Sequence, residues 1–336
     1  MMQAAIYGFE GLELTSDERS FFGDAKPAGY IVFKRNIESR GQLRALTDSL
    51  RDLEGHDAVP ILIDQDGGRV ARMRPPEWQA FPSGEAFDRL YQLAPSSAIE
   101  AARVNARALG LMLNEAGVNV NCLPMLDVRQ PGATDIVGDR ALGSEPMQVA
   151  ALGRSILDGL ASAGVLGVIK HIPGHGRALL DSHKALPVVD AGEEDLAVDL
   201  EPFERLRDAA MGMTSHLLYT AWDPEFPASQ SRIVIHDIIR QRIGFDGFLM
   251  SDDIGMEALA GDHGQRATAC VEAGCDVALH CDGKMVNMLS VAGAVPALSD
   301  EAEARLARAM AMRFTPDDEM DFAQAVAKRD ALLALV

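Results

Sequence analysis

The chain is short of positive charge, cysteine and long apolar runs, and each shortage removes a class of function. Its 31 lysines and arginines face 50 aspartates and glutamates, giving a formal charge of −19. That field repels phosphate backbones and anionic lipid surfaces, so neither nucleic acid nor a membrane surface is an expected partner. No stretch of 18 apolar residues is present to span a bilayer. The opening MMQAAIYGFEGLELTSDE has neither the basic segment nor the unbroken apolar segment of a secretory leader, and a cytoplasmic location is the expectation.

The four cysteines, Cys122, Cys270, Cys275 and Cys281, form no C-x-x-C pair, which argues against a disulfide framework and for reduced, packed thiols. A soft metal site from the last three is the alternative, but Cys275 and Cys281 lie in or beside an apolar, strand-like run. No G-x-G-x-x-G follows a strand pattern and GxxxxGK[ST] is absent, so no nucleotide cofactor is expected.

What remains is an ordinary globular composition, 48% hydrophobic and 24% charged, with a regular alternation of patterns. Short apolar runs recur at 29–33, 60–64, 118–126, 165–170, 211–216, 247–252 and 275–280 and read as buried strands. Helical patterns lie between them. Leu43, Leu46, Leu50 and Leu53 are spaced 3-4-3 ahead of Gly55; Ser97 with Glu100 marks a capping box for a helix facing inward through Ile99, Ala102, Ala106, Leu109 and Leu113; Val149, Leu152, Ile156 and Leu160 define a third over 146–163.

Such alternation predicts parallel strands joined by crossover helices, in an open doubly wound sheet or a closed (β/α)8 barrel. The barrel is favoured because nearly every strand run ends in ionisable groups: Lys34 and Arg35, Asp64, Asp127, Lys170 and His171, His216, Asp252, then His280 and Asp282. A barrel gathers all those ends around one mouth, whereas an open sheet offers only its switch point. Residues 1–336 are thus expected to form a single α/β barrel, with the eighth strand in 286–294, helices over 298–336, and Pro316 as the first residue of the last helix.

The stretch KHIPGHGRALLDSHKALP, residues 170–187, holds three of the eight histidines. Its glycines and prolines mark a loop that displays polar groups. Asp181 and His183 stand two apart, compatible with a carboxylate orienting an imidazole for acid/base work or with a solvated loop pair. Lys170 is compatible with a Schiff base, and His171, His175 and His183 with metal ligation or with hydrogen bonds to a polyhydroxylated ligand. Strand parity lets only one of Asp252 and Asp253 face the barrel mouth without saying which. After Asp64, Gly67 and Gly68 are compatible with close approach of backbone to a ligand or with a tight strand-to-helix turn, and Arg69 with bracing a carboxylate; Arg140, taken alone, reads as a surface partner of Asp139 or Glu145.

KHIPGHG followed by DSH, with ILIDQDGGRV, LPMLDV, GDRALGSEP and GFLMSDDIGMEAL in that order, resembles the bacterial single-domain β-N-acetylhexosaminidases of glycoside hydrolase family 3. The likeness runs over about residues 28–280. It implies a (β/α)8 barrel that removes terminal N-acetylglucosamine with retention of configuration, in a monomer that needs neither metal nor cofactor, from muropeptide fragments in cell-wall recycling or from related β-linked oligosaccharides. On that pattern Asp252 is the nucleophile and His183, oriented by Asp181, the general acid and base. Asp64, Arg140, Lys170 and His171 match positions that hold the sugar's hydroxyl groups, and the loop from Gly174 carries the dyad. Asp66 stands where the family often has glutamate, Ser215 where it has alanine, and ALHCD at 278–282 departs from the pattern. The competing readings are a metal-dependent amidohydrolase-type barrel using His171, His175, Asp181 and His183, and a sugar-binding barrel without catalysis.

Overall fold

The computed structural model describes the whole chain except residues 133–135, 183 and 313–318. Eight parallel strands close into a barrel: β1 (Gln3–Tyr7), β2 (Pro27–Val32), β3 (Ile61–Ile63), β4 (Val120–Asn121), β5 (Leu166–Ile172), β6 (Met211–Thr214), β7 (Phe248–Asp253) and β8 (Val277–His280). Each pairs with its sequence neighbours, and β1 closes on β8 with Ala5 opposite Ala278 and Tyr7 opposite His280. Val188–Val189 and Leu218–Tyr219 form a separate two-stranded sheet beside the mouth.

The eighth strand is therefore the N-terminal QAAIY and not part of 286–294, which is a helix, Met285–Ala292. Both segments are short and apolar, and composition does not separate a buried strand from a buried helix at that length. Pairing with β8, more than 270 residues away, decides it.

Local signals explain most helices. In Arg40–Glu54 the Ser39 side chain accepts from Gln42 N, the buried face carries Leu43, Leu46 and Leu50, and Gly55 ends the helix at φ 74°, a left-handed conformation that suits glycine. The next expected start is displaced. Helix Pro95–Glu115 begins with proline in its first turn, Ser97 does not cap it, Glu100 pairs instead with Arg103 and Lys328, and Ile99 faces solvent. Proline's fixed φ suits a first turn, where its missing N–H costs nothing. The third helix, Pro146–Ser162, matches expectation. The last helix, Phe322–Leu333, is capped by Asp321 and so does not start at Pro316, which itself lies outside the described residues.

Two apolar layers position the site. Between strands and helices lies the larger core; inside the barrel a second one stacks Ile6, Leu62, Val168, Met213, Phe248 and Leu279. Leu298 and, from helix Asp300–Ala311, Leu306 join this inner core beside Met2, so the strand N-termini are plugged. The opposite end is left for polar groups. All four cysteines are buried free thiols.

Candidate active site

Strand alternation builds the mouth. Side chains two apart on a strand share a face, so Leu62, Leu166 and Val168, and Phe248 and Met250, which fill the barrel interior, hand the next inward positions to Asp64, Lys170 and Asp252. These three line a 280 Å³ cavity with His171, Arg140 and His175. Strict alternation does not hold to the strand end: the register shifts between Val277 and Leu279, Asp253 comes to lie opposite Leu279, and both Asp252 and Asp253 reach the cavity lining, against the expectation that only one would.

A buried ionic network forms one wall. Lys170 Nζ lies 3.1 Å from Asp64 Oδ1 and 3.3 Å from Asp66 Oδ1, Arg140 Nε donates to Asp66 Oδ2 at 2.8 Å, and Arg72 Nη2 reaches Asp64 Oδ2 at 3.3 Å. Three cations against two carboxylates leave one positive charge in excess. Burial disfavours the Asp64 anion, yet Lys170 and Arg72 outweigh it and hold the carboxyl well below the usual range. Burial likewise opposes the Lys170 ammonium, and Asp66 and Asp64 still raise its pKa. A lysine kept charged is a poor Schiff-base nucleophile, which removes that option.

Across the cavity, the wholly buried Asp127 takes three donors: His171 Nδ1 at 2.7 Å, His171 N at 3.2 Å and His175 N at 2.6 Å. An Nδ1–H given to Asp127 leaves Nε2 of His171 for a ligand. Burial favours the neutral carboxyl, but His171 and His175 bring the Asp127 pKa down to about 2. His175 is itself buried, and that burial lowers its pKa to about 4 against the pull of Asp127. Its Nε2 is 3.4 Å from Ser182 Oγ, and its Nδ1 has no partner among the described residues.

Asp252 and Asp253 are driven apart. Burial raises the Asp252 pKa, but His171, His216 and the N–H of Asp253 more than reverse it. Asp253 is raised by burial and by Asp252, against hydrogen bonds from Gly255 N and Cys281 N. Neighbouring carboxyls with divergent pKa values take different roles; here both line the cavity, and Asp252 is the one whose ionised form its surroundings favour.

Five of the seven residues singled out from sequence, Asp64, Arg140, Lys170, His171 and Asp252, thus meet around one cavity. Asp181 sits on the adjoining loop, outside the cavity lining, with Oδ2 3.8 Å from Lys184 Nζ. His183 lies outside the described residues. Arg69 braces a carboxylate, that of Asp139 at the surface, and Arg140, which taken alone read as a surface partner of Asp139 or Glu145, turns inward to Asp66. Arg72, three residues past Arg69, braces Asp64. Sequence reasoning missed Asp66 and Arg72, and assigned no role to Asp127 or His216; the signal available was position, since Asp127 and His216 end apolar strand runs. Among the described residues no three histidine, cysteine, aspartate or glutamate side chains form a metal-holding group.

The profile of the glycosyl hydrolase family 3 N-terminal domain matches residues 5–313. The chain belongs to glycosyl hydrolase family 3. As a family 3 glycoside hydrolase it is an enzyme, and its relatives agree. It is 38% identical over 302 residues to a β-hexosaminidase of Aromatoleum aromaticum, covering 88% of this chain and 84% of that protein. Its fold superposes on native NagZ from Neisseria gonorrhoeae with a TM-score of 0.89 at 28% identity, covering 99% of this chain and 98% of that one. The same gonococcal protein in complex with N-trifluoroacetyl-D-glucosamine gives a TM-score of 0.85, again at 28% identity, over 99% and 97% of the two chains.

Proposed function

We propose that this family 3 enzyme is a retaining exo-β-N-acetylglucosaminidase that trims muropeptide fragments in peptidoglycan recycling. One observation carries the reading: an ionised Asp252 faces into a cavity with room for a single sugar, opposite a fixed array of charged donors and acceptors. Asp64, Lys170, Arg140 and His171 hold the hydroxyls of the terminal sugar. Related proteins named β-hexosaminidase, and the gonococcal complex with an N-acylated glucosamine, support the substrate class.

Asp252 attacks the anomeric carbon, the bond to the aglycone oxygen breaks, and His183 gives that oxygen its proton. Water then attacks the same carbon while giving a proton to His183, and Asp252 leaves as the carboxylate. Two inversions retain the β configuration. Asp181 orients His183. An imidazole that is neutral once the proton has left adds no second negative charge beside Asp252. In this reading the enzyme acts as a monomer in the cytoplasm. Among the described residues no helix is long and apolar enough to cross a membrane.

The deciding experiment follows p-nitrophenol release from p-nitrophenyl N-acetyl-β-D-glucosaminide by wild type and Asp252→Asn, with and without chelator. Chelator-insensitive turnover that falls by more than about 1,000-fold in the mutant supports the reading. Substantial activity in the mutant moves the nucleophile elsewhere. Sugar release from N-acetylglucosaminyl-1,6-anhydromuramoyl peptide tests the recycling role, and none released would end it.

A further inference from the structure

His216 lies just beyond β6, fully buried and outside the cavity lining. Its Nε2 is 3.0 Å from the carbonyl oxygen of Asp253, and its Nδ1 is 2.7 Å from Ser229 Oγ. A carbonyl only accepts, so Nε2 carries the hydrogen, and in a neutral ring Nδ1 then accepts from the Ser229 hydroxyl. Burial lowers the His216 pKa despite the two aspartates nearby, consistent with that single tautomer.

The Asp253 carbonyl belongs to the residue whose N–H donates to Asp252 Oδ1 at 2.8 Å. The same residue is held from a second side, since its own Oδ1 accepts from Gly255 N and Cys281 N. Behind it, Ser251 Oγ donates to the Asp252 carbonyl at 2.7 Å and accepts from Leu279 N at 3.0 Å. Asp252 Oδ1 is thus tethered through a backbone amide, and Oδ2 has no hydrogen bond among the described residues.

We infer that His216, set by Ser229, is a positioning residue that fixes the Asp252–Asp253 backbone so that Asp252 Oδ2 is the oxygen presented to the sugar. The inference rests on Asp252 being the nucleophile. A displaced nucleophile slows bond making without weakening ground-state binding. The loss therefore falls on kcat and spares KM, and it is equal for an aryl glycoside and a disaccharide because leaving-group protonation is untouched.

The test compares His216→Phe, His216→Gln and Ser229→Ala with wild type and Asp252→Asn on both substrates, with N-acetylglucosamine affinity by calorimetry as the check on the pocket. His216→Phe, which removes the donor, is expected to lose about 100-fold in kcat. His216→Gln, whose amide nitrogen can replace Nε2–H, keeps most of the activity, and Ser229→Ala, which frees the tautomer, loses several-fold with KM unmoved. Wild-type kcat in a folded His216→Phe, or equal loss in Phe and Gln variants, overturns the inference. If His216→Phe does not fold, the other two variants decide: wild-type kcat in Ser229→Ala, or a collapse of His216→Gln, overturns it. An active Asp252→Asn is a separate outcome that removes the nucleophile itself.

Discussion

Lys170 and Asp64 meet at 3.1 Å with only 2% of the lysine side chain exposed, so the strand-end ammonium is held by carboxylates in place of water. Removing one member of a buried ionic group leaves its partners uncompensated, typically at about 3–5 kcal/mol. Lys170→Met is expected to lose stability of that order in urea unfolding at pH 7, as well as activity. A loss under about 1 kcal/mol would mean that Arg72 and Arg140 neutralise both carboxylates unaided.

Asp127 gives a test with a definite pH sign. Its folded pKa of about 2 lies below the unfolded value, so its stabilisation is complete above about pH 4 and is lost as pH falls towards 2. Asp127→Asn should be less stable than wild type by about 2–3 kcal/mol at pH 7, with the gap narrowing through that window. A gap that is constant with pH would assign the loss to shape and not to charge.

His175 titrates in a different window. Its folded pKa of about 4 lies below the ordinary histidine value, so the unfolded chain binds the extra proton first as pH drops below about 6.5. Stability attributable to this ring therefore falls by about 3 kcal/mol between pH 6.5 and 4. His175→Gln should flatten that part of the stability profile; identical wild-type and mutant slopes would rule the ring out as the source.

Gly176 tests the stem of the loop. A Cβ there would lie 1.8 Å from the Val128 carbonyl oxygen, whereas at Gly192 it would meet nothing within 4 Å. Gly176→Ala must push the backbone apart, a cost of about 1–3 kcal/mol. Activity should drop more than about tenfold as the stem shifts, with Gly192→Ala as the unaffected control. Full activity in Gly176→Ala would show that the stem tolerates displacement.

For His183→Ala the expected signature is unequal loss, small on an aryl glycoside and large on a natural disaccharide, since a good leaving group needs little protonation. Steady-state kinetics on both substrates checks it, and equal losses would remove His183 as the acid.

Much of the site was legible because inward positions at strand ends are one-dimensional information. Asp64, Lys170 and Asp252 each extend an apolar run, and a barrel converges such ends wherever the helices run. Ionic pairing was less legible. Arg140 has Asp139 beside it in sequence but pairs with Asp66, 74 residues away, because closure of the barrel sets distances that chain separation does not reveal.

The sequence by itself determined the class of fold, the strand ends that carry chemistry, and, through ordered motifs, the family. Tertiary structure alone decided that QAAIY closes the barrel, that Arg140 reaches Asp66 while Arg69 stays at the surface with Asp139, and that Arg72 braces Asp64. The reason is common to all three. Periodicity records which residues share a face, but the absolute phase of that face, and the partner it meets, exist only once β1 has paired with β8 and the interior has been filled.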